Sequence, residues 1–480
     1  MPPAKQPFKL PILSGAPAYD DLTARYGPRY KWLALVAVGL GIVAAVLSTT
    51  SFNVAIPALT RHFGLGQDRV QWAITGYMGA MTAAMLPTPW LLDRLGFRRC
   101  FLGATLVLAA ASIAGSLSDG FAFLVAARIL QGAAAGVLQP LGTLVVMRLF
   151  PVENQGRASG MLSFGIVLAP AVAPTLGGLL LDHFGWPAIF LMNLPFCLLA
   201  AGAGIWLLPK PREIRLRHFD WFGVGVLGLG TLALVEGVSS LQHAGPLAPW
   251  TWFQWGLAIL SVVLFVRHGR RSAAPIISLG LFRDRPFAMG VLVSMAYGFG
   301  LYASTYVIPI FLQNALGFSA TAAGLALLPS GIALAVAIPI AGRLTDRHSP
   351  QRITVVGLGL FGLSFVLFAV MAVHITYGEI IGITVMGRVG LALILPALSL
   401  AALRGMAAEQ LGQSSTVISY MRQLGGVLGV AIAAVFLAWR ESVYGATPAG
   451  IFSAFTESFV LLAVAFLLAL AAAIRMEPQR

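Results

Sequence analysis

Charge is what this sequence has least of. Only 10% of its 480 residues are Asp, Glu, Lys or Arg, against about 25% in a soluble globular domain, and that shortage excludes an ordinary water-soluble fold. Acidic residues are scarcer than basic ones, 17 against 31. Cysteine is nearly absent: Cys100 and Cys197 stand in or beside different apolar stretches, too few for a disulfide framework or a four-ligand zinc site. The seven histidines are scattered, and no Gly-x-x-x-x-Gly-Lys-Ser/Thr string is present to cradle nucleotide phosphates. These absences argue against metal sites, cofactors and ATP-driven work. No catalytic pair is visible, so an enzyme is not expected.

What the chain has instead is hydrocarbon. Hydrophobic residues make up 58% of it and the mean hydropathy is +0.86. At about 20 apolar residues per crossing, this supplies roughly 12 to 14 membrane spans. Apolar runs broken by charge, Gly or Pro place fourteen: six between residues 33 and 209, two between 221 and 267, and six between 287 and 474. The reading is an all-α polytopic membrane protein. A tail at 1–32 precedes a six-helix bundle at 33–209, a linker with an inserted helix pair at 210–285, and a second six-helix bundle at 286–480. The first apolar run is too long for a signal-peptide core and reads as a retained helix. With the N-terminus in the cytoplasm, only Arg61, Arg69 and Arg440 fall on the opposite side, and Arg128, Arg388 and Arg422 fall inside spans. Every other Lys and Arg is cytoplasmic. That asymmetry orients the chain with both ends inside, and it accounts for the net charge of +14 without nucleic acid.

Two acid–base strings recur at matching places: Leu91-Leu92-Asp93-Arg94-Leu95-Gly96 after the second span, and Gly342-Arg343-Leu344-Thr345-Asp346-Arg347 after the tenth. Each follows the second helix of a six-helix half, as in a transporter built from two parallel repeats. Read as short loops, they place Asp93, Arg94, Asp346 and Arg347 where a carboxylate can gain and lose a partner between conformations. The plainer reading is a charged turn kept out of the bilayer. Arg128, with Gln131 one turn on, lies well inside a span, where an arginine costs at least about 2.5–3.5 kcal/mol. Arg388 and Arg422 meet the same test, with snorkelling or a fixed ion pair as the alternative. Span 1 carries Ser48, Thr49, Thr50 and Asn53, span 5 carries Pro170, Pro174, Gly177 and Gly178, and Tyr77, Gln139, Tyr297, Tyr302, Tyr306, Gln313 and Gln423 add polar tips. These side chains line an amphipathic cavity near the midplane or else hydrogen-bond helix to helix. Acids in or near spans are Glu236, Glu379 and Glu457, all towards the outer ends.

These strings resemble the major facilitator superfamily, and more narrowly its fourteen-helix drug:proton antiporter branch of the EmrB/QacA type, over about residues 33 to 470. Leu91-x-Asp93-Arg94-x-Gly96 is similar to the loop between helices 2 and 3, with Pro89 where that pattern usually starts with Gly. Arg128-x-x-Gln131-Gly132 resembles the coupling motif of helix 4. Ala173-Pro174-x-x-Gly177-Gly178 resembles the antiporter motif of helix 5, with Ala173 in place of its usual Gly. Trp186-Pro187-Ala188-Ile189-Phe190-Leu191-Met192-Asn193-Leu194-Pro195, Asp220-Trp221-Phe222-Gly223 and Arg422-Gln423-Leu424-Gly425-Gly426 are similar to the lead-in to helix 6, the start of the inserted pair and helix 13 of the branch.

The resemblance implies a multidrug efflux transporter of the bacterial cytoplasmic (inner) membrane that moves amphipathic small molecules by alternating access and proton antiport. Membrane lipids and a periplasmic adaptor protein are the implied partners. A lipid or fatty-acid exporter of the same fold and a non-transporting receptor or scaffold stay open. On this reading Asp93, Arg94, Asp346 and Arg347 gate, and Arg128, Gln131, Glu379 and Arg388 couple. Ser48, Thr49, Asn53, Tyr77, Gln139, Tyr297, Tyr302, Gln313, Arg422 and Gln423 line the substrate cavity. One departure matters. The branch usually reads Leu-Asp-Thr-Thr-Ile-Val-Asn in span 1, and this chain reads Leu47-Ser48-Thr49-Thr50-Ser51-Phe52-Asn53. The carboxylate expected there is Ser48. Either another acid such as Glu379 titrates, or the substrate is neutral, anionic or lipidic.

Overall fold

A computed structural model describes residues 17–65, 67–70, 72–209, 219–243, 245, 248–272, 275–445 and 447–476. The basic stretch Lys210, Arg212, Arg215 and Arg217 lies outside the described residues, as do the side chains of Asn53, Pro170 and Pro174. With no water in hydrocarbon to bond backbone groups, apolar runs satisfy them within helices. The helices, in chain order, are α1 (Pro17–Tyr26), α2 (Tyr30–Thr50), α3 (Ile56–Phe63), α4 (Gln67–Val70), α5 (Trp72–Met85), α6 (Thr88–Ser116), α7 (Phe121–Leu149), α8 (Val152–Phe184), α9 (Pro187–Leu191), α10 (Leu194–Leu207), α11 (Trp221–His243) and α12 (Pro249–Arg271). They continue with α13 (Arg285–Ile310), α14 (Ala320–Arg347), α15 (Pro350–Met371), α16 (Tyr377–Leu403), α17 (Leu411–Tyr444) and α18 (Pro448–Ile474).

Among the described residues, twelve helical stretches are long and apolar enough to cross a membrane, where fourteen are expected from the sequence. The expected second and fifth crossings fall outside that set. At the second, α5 comprises 14 residues, short of the roughly 20 a crossing needs. At the fifth, α8 is 33 residues long but contains residues 170–172, 174 and 175, whose side chains lie outside the description. The two acid–base strings also differ from the expected loops. Asp93 and Arg94 are helical, within the part of α6 that ends where Gly96 turns to φ +77°, a conformation open to glycine at no steric cost. Asp346 and Arg347 form the last turn of α14. In both strings the acid and base are helical, and the backbone breaks only after them, at Gly96 in the first and past Arg347 in the second.

Within residues 30–207, α7 packs on α5 and α6, and α2 packs on α7, α8 and α10. Within 285–474, α13 packs on α17 and α18, α15 on α16 and α18, and α14 on α16. Between these sets, α8 lies along α14, while α17 meets α7 and α5. The inserted α11 packs on α12 and also reaches α5 and α17. Glycines set the closest approaches: a Cβ on Gly132 or Gly136 of α7 would run into the Tyr77 or Met81 carbonyl of α5, and one on Gly425 or Gly429 of α17 into the Met295 or Phe299 carbonyl of α13. Small residues at helix contacts are how backbones approach in a membrane, where apolar lipid gives no hydrophobic driving force. Replacing Gly132 by Leu should therefore cost about 1–3 kcal/mol through overpacking and lower the melting temperature in detergent. Gly103→Leu, on α6 with open space around its Cβ position, should leave melting unchanged.

Candidate functional site

Arg128 sits two turns into α7 with 1% of its surface exposed. Its Nε donates to the Ala73 carbonyl at 3.0 Å, and its Nη1 to the Ser48 carbonyl at 3.0 Å, the Ser48 hydroxyl at 3.1 Å and Gln131 Oε1 at 2.9 Å. The guanidinium carbon lies 4.2 Å from the Phe52 ring centre and 4.1 Å from that of Tyr77, so two π faces clamp the charge. Gln131 Nε2 donates to Ser112 Oγ at 2.7 Å, and Ser112 donates to Asn193 Oδ1 at 3.0 Å. Tyr77 donates to the Ala45 carbonyl at 2.8 Å and accepts from Thr49 at 3.0 Å. One network thus ties α2, α5, α6, α7 and the break before α10 to a single buried cation. All its acceptors are neutral, and one guanidinium nitrogen, Nη2, has no partner.

The structure brings Ser48, Thr49, Tyr77, Arg128 and Gln131 into one network, where the sequence reading divides them between a coupling pair and a cavity lining. Phe52, Ser112 and Asn193 complete the network and were missed. Asn193 stands at the break between α9 and α10, a polar residue in an apolar lead-in, and that was the available signal. Phe52 gave none, because a phenylalanine in a span is indistinguishable from lipid-facing packing.

In the second half, Tyr297 of α13 is 2% exposed, and Arg388 of α16 and Arg422 of α17 are half-buried. Gly298 of α13 lies against the Arg422 carbonyl, and the Tyr302 ring lies against Gly426 of α17. Gln423 is buried, and its amide nitrogen lacks a partner. Gln139 is half-buried on α7.

Two of the expected site residues lie elsewhere. Gln313 is exposed in a π-helical turn after Pro309, whose carbonyl its amide caps at 3.2 Å. Glu379 is half-buried at the start of α16, where its carboxylate accepts from the Thr376 backbone N–H at 2.7 Å and hydroxyl at 2.8 Å in a capping box. It is a helix cap and not a cavity group. Glu457 is held by Arg440 and Tyr444. In α8, Gly177 lies against the Ser51 carbonyl, and Gly178 has open space at its Cβ position.

The gate candidates divide. Arg94 places its guanidinium 5.2 Å from the Trp90 ring centre, and Asp93 attracts Arg148 from the end of α7. Asp346 crosses between the halves: its two carboxylate oxygens accept from the Gly156 and Arg157 backbone N–H groups at 2.6 and 2.9 Å. Beside it, Gly342 meets Gly156 and Gly160 backbone to backbone. Arg404 donates to the Val152 carbonyl at 3.3 Å, Ser159 to the Pro396 carbonyl at 3.4 Å, and Ser415 to the Pro140 carbonyl at 3.0 Å. These contacts close one end of the interface, the end where the basic connections gather. Arg347 is exposed there.

Comparison of the chain with known proteins decides the family, because residues 38–430 match the model of the Major Facilitator Superfamily. The chain belongs to the Major Facilitator Superfamily. As a member it is a multi-pass membrane transporter and not an enzyme. It is similar to the "Multidrug resistance protein B homolog" of Mycobacterium tuberculosis (strain ATCC 25618 / H37Rv), 31% identical over 416 residues that cover 85% of this chain and 76% of that protein. It is also similar to the "Multidrug resistance protein Stp" of the same strain, 30% identical over 424 residues covering 86% and 77%. Among solved structures, the human organic anion transporter MFSD10 (TETRAN) matches with a TM-score of 0.62 over 92% of this chain and 99% of that one, at 16% identity, which shows a shared fold.

Lysine cannot reproduce the Arg128 fork, which bonds α2, α5 and Gln131 at once. Arg128→Lys should lower transport about tenfold or more, equivalent to about 1.4 kcal/mol, in a proteoliposome flux assay. Unchanged flux would remove the arginine from the working site.

Proposed function

We propose that this superfamily member is a multidrug efflux transporter that carries amphipathic small molecules outward by alternating access. Two relatives named multidrug resistance proteins, each matched over most of its length, support the efflux reading. The single observation that supports the mechanism is the closed seam of α8 and α14, with Asp346 holding the first turns of α8. A transporter shut at its basic end is closed on that side, as alternating access requires of one of its states.

The topology of the reading is fourteen crossings. The twelve apolar helices are joined by α8, which at 33 residues is about 50 Å long and exceeds the roughly 30 Å of hydrocarbon, and by the α4–α5 stretch, whose α5 packs along α7. Residues 33–209 and 286–480 form the two six-helix bundles, 210–285 the linker and accessory pair, and 1–32 the tail. Both termini are cytoplasmic in a bacterial inner membrane, as the basic residues orient them. Membrane lipids surround the chain, and a periplasmic adaptor would continue the path outward. Gating falls to Asp93, Arg94, Asp346 and Arg347, coupling to Arg128, Gln131 and Arg388, and Pro174, Gly177 and Gly178 form the antiporter-motif segment of α8, in which Gly177 lies against Ser51 just past α2. Ser48, Thr49, Asn53, Tyr77, Gln139, Tyr297, Tyr302, Arg422 and Gln423 surround the substrate.

Proton exchange is the drive this reading assigns. Purified protein in proteoliposomes with an imposed pH gradient should extrude a dye faster than without one, and gradient-independent flux would remove the antiport part. The gate has its own test. Asp346→Ala removes a charged acceptor from two backbone N–H groups, each worth about 1.5–3 kcal/mol when bonded to a charge. It should open the seam, so that a cysteine replacing the 8% exposed Ser159 reacts with maleimide several-fold faster than in the parent. The native Cys100 and Cys197 are buried and contribute little background.

A further inference from the structure

We infer that the inserted pair α11–α12 is a strap that moves as one body with the second bundle and slides over the first, so that each transport cycle shears α11 along α5. The inference rests on the alternating-access reading and gives it a moving part.

The pair is stiff in itself. Near the turn between its helices the Ser240 hydroxyl donates to Thr251 Oγ1 at 3.0 Å, and Thr251 donates to the Gly245 carbonyl at 3.1 Å. At the opposite end the Asp220 carboxylate, with 4% of its side chain exposed, meets His268 Nε2 at 2.7 Å and accepts from the Gly223 N–H at 2.8 Å. Between these ends a Cβ on Gly230 would run into Ser261, and one on Gly237 would press on Gln254. Two helices packed this closely and tied at both ends move together.

Hydrogen bonds carry the pair to the second bundle. Asp220 also accepts from the Ile276 backbone N–H at 3.0 Å, and the Gln413 amide at the start of α17 donates to the Pro275 carbonyl at 3.4 Å. Ile276, Ile277 and Leu281 of this connection are buried, and it leads into α13. Midway along α11, the buried Thr231 hydroxyl is hydrogen-bonded to the hydroxyl of buried Tyr420 on α17.

Leu232 lies about 100° round the helix from Thr231, and this neighbouring face meets the first bundle through apolar contact. A Cβ on Gly79 of α5 would run into Leu232, and one on Gly228 would lie 3.8 Å from the Ala83 Cβ. The two contacts stand one turn apart in antiparallel register, so each helix offers a glycine to the other's side chain. At the basic end the Phe219 ring centre lies 4.6 Å from that of Trp90 on α6, the ring that carries the Arg94 guanidinium. Directional hydrogen bonds hold one register, whereas smooth contacts between packed helices permit the small sliding of a shear motion. α11 lies on both α5 and α17, which themselves meet. When the halves rock, it cannot keep both, and the bonded partner is α17.

Two measurements on the full chain test this. The 3.8 Å between the Gly228 and Ala83 positions falls within the about 3.5–4.5 Å Cβ separation of a disulfide, so Ala83→Cys with Gly228→Cys can be bridged by oxidation. Oxidation should stop ethidium flux in proteoliposomes, and reduction should restore it. Full flux through a completely bridged protein would overturn the sliding contact. For the second measurement, spin labels go on the exposed positions Leu260→Cys of α12, Val356→Cys of α15 and Leu106→Cys of α6, taken in pairs. Distances are read by pulsed electron paramagnetic resonance with and without Asp346→Ala, which opens the basic end. The α12–α15 distance should hold, while the α12–α6 distance shifts together with the α6–α15 control. A fixed α12–α6 distance with a moving α12–α15 distance would overturn the inference by assigning the pair to the first bundle. Movement of both would overturn it by assigning the pair to neither. A fixed control would overturn alternating access itself, and the strap with it. Should the bridged variant fail to fold, or the parent protein move no ethidium, the label distances decide alone.

Discussion

The first half is organised around a positive charge that cannot leave and has no acid to answer it among the described residues. A guanidinium in hydrocarbon must be solvated by the protein, and here backbone carbonyls, a serine, a glutamine and two aromatic faces do so. Because the acceptors come from α2, α5 and α7, the position of Arg128 fixes the relative placement of those helices. Gly132 and Gly136 then bring α7 close enough to α5 for the arginine to reach the Ala73 carbonyl. Further along the network, Gln131 passes the constraint to α6 and to the break before α10. A substitution at any of these points acts on all of them.

The second half carries two further arginines within spans, Arg388 on α16 and Arg422 on α17, both half-buried. The Arg422 backbone packs on Gly298 of α13. The inserted pair is fastened separately. Asp220, at the start of α11, accepts from the backbone N–H groups of Gly223 and Ile276 and bonds His268 at the end of α12. Thr231 meets Tyr420, so the accessory helices lean on α17, the helix that carries Arg422.

How far the sequence could be read depended on whether a residue's cost was local. Arg128 was legible because an arginine in a span is expensive wherever its partners lie, and Ser48 and Tyr77 followed as polar groups in apolar runs. Glu379 was misplaced because Thr376-x-x-Glu379 at a span start serves equally as a capping box and as a titratable site, and only the side-chain direction separates them. Gln313 is a polar tip near a span end in the sequence, and composition alone does not show that the π-helical turn after Pro309 leaves it exposed. Asp93 and Asp346 read as loop residues because charge reports where hydrocarbon ends, while the helix runs on past each acid, to the kink at Gly96 and to Arg347. The count of apolar helices, twelve among the described residues, fell short of the expected fourteen at the two places where polar, proline-rich or short stretches blur the apolar signal.

The closed seam has an asymmetry that bears on how such a protein drifts in evolution. Asp346 grips main-chain N–H groups, not side chains, so the partner half of the lock is written in conformation and not in residue identity. Arg157 can change to nearly anything but proline without losing its bond. Gly156 is constrained only by the lack of room for a side chain against α14. A latch of this kind is carried by one visible acid and two main-chain N–H groups, so the surface around it can be rewritten while the door still shuts.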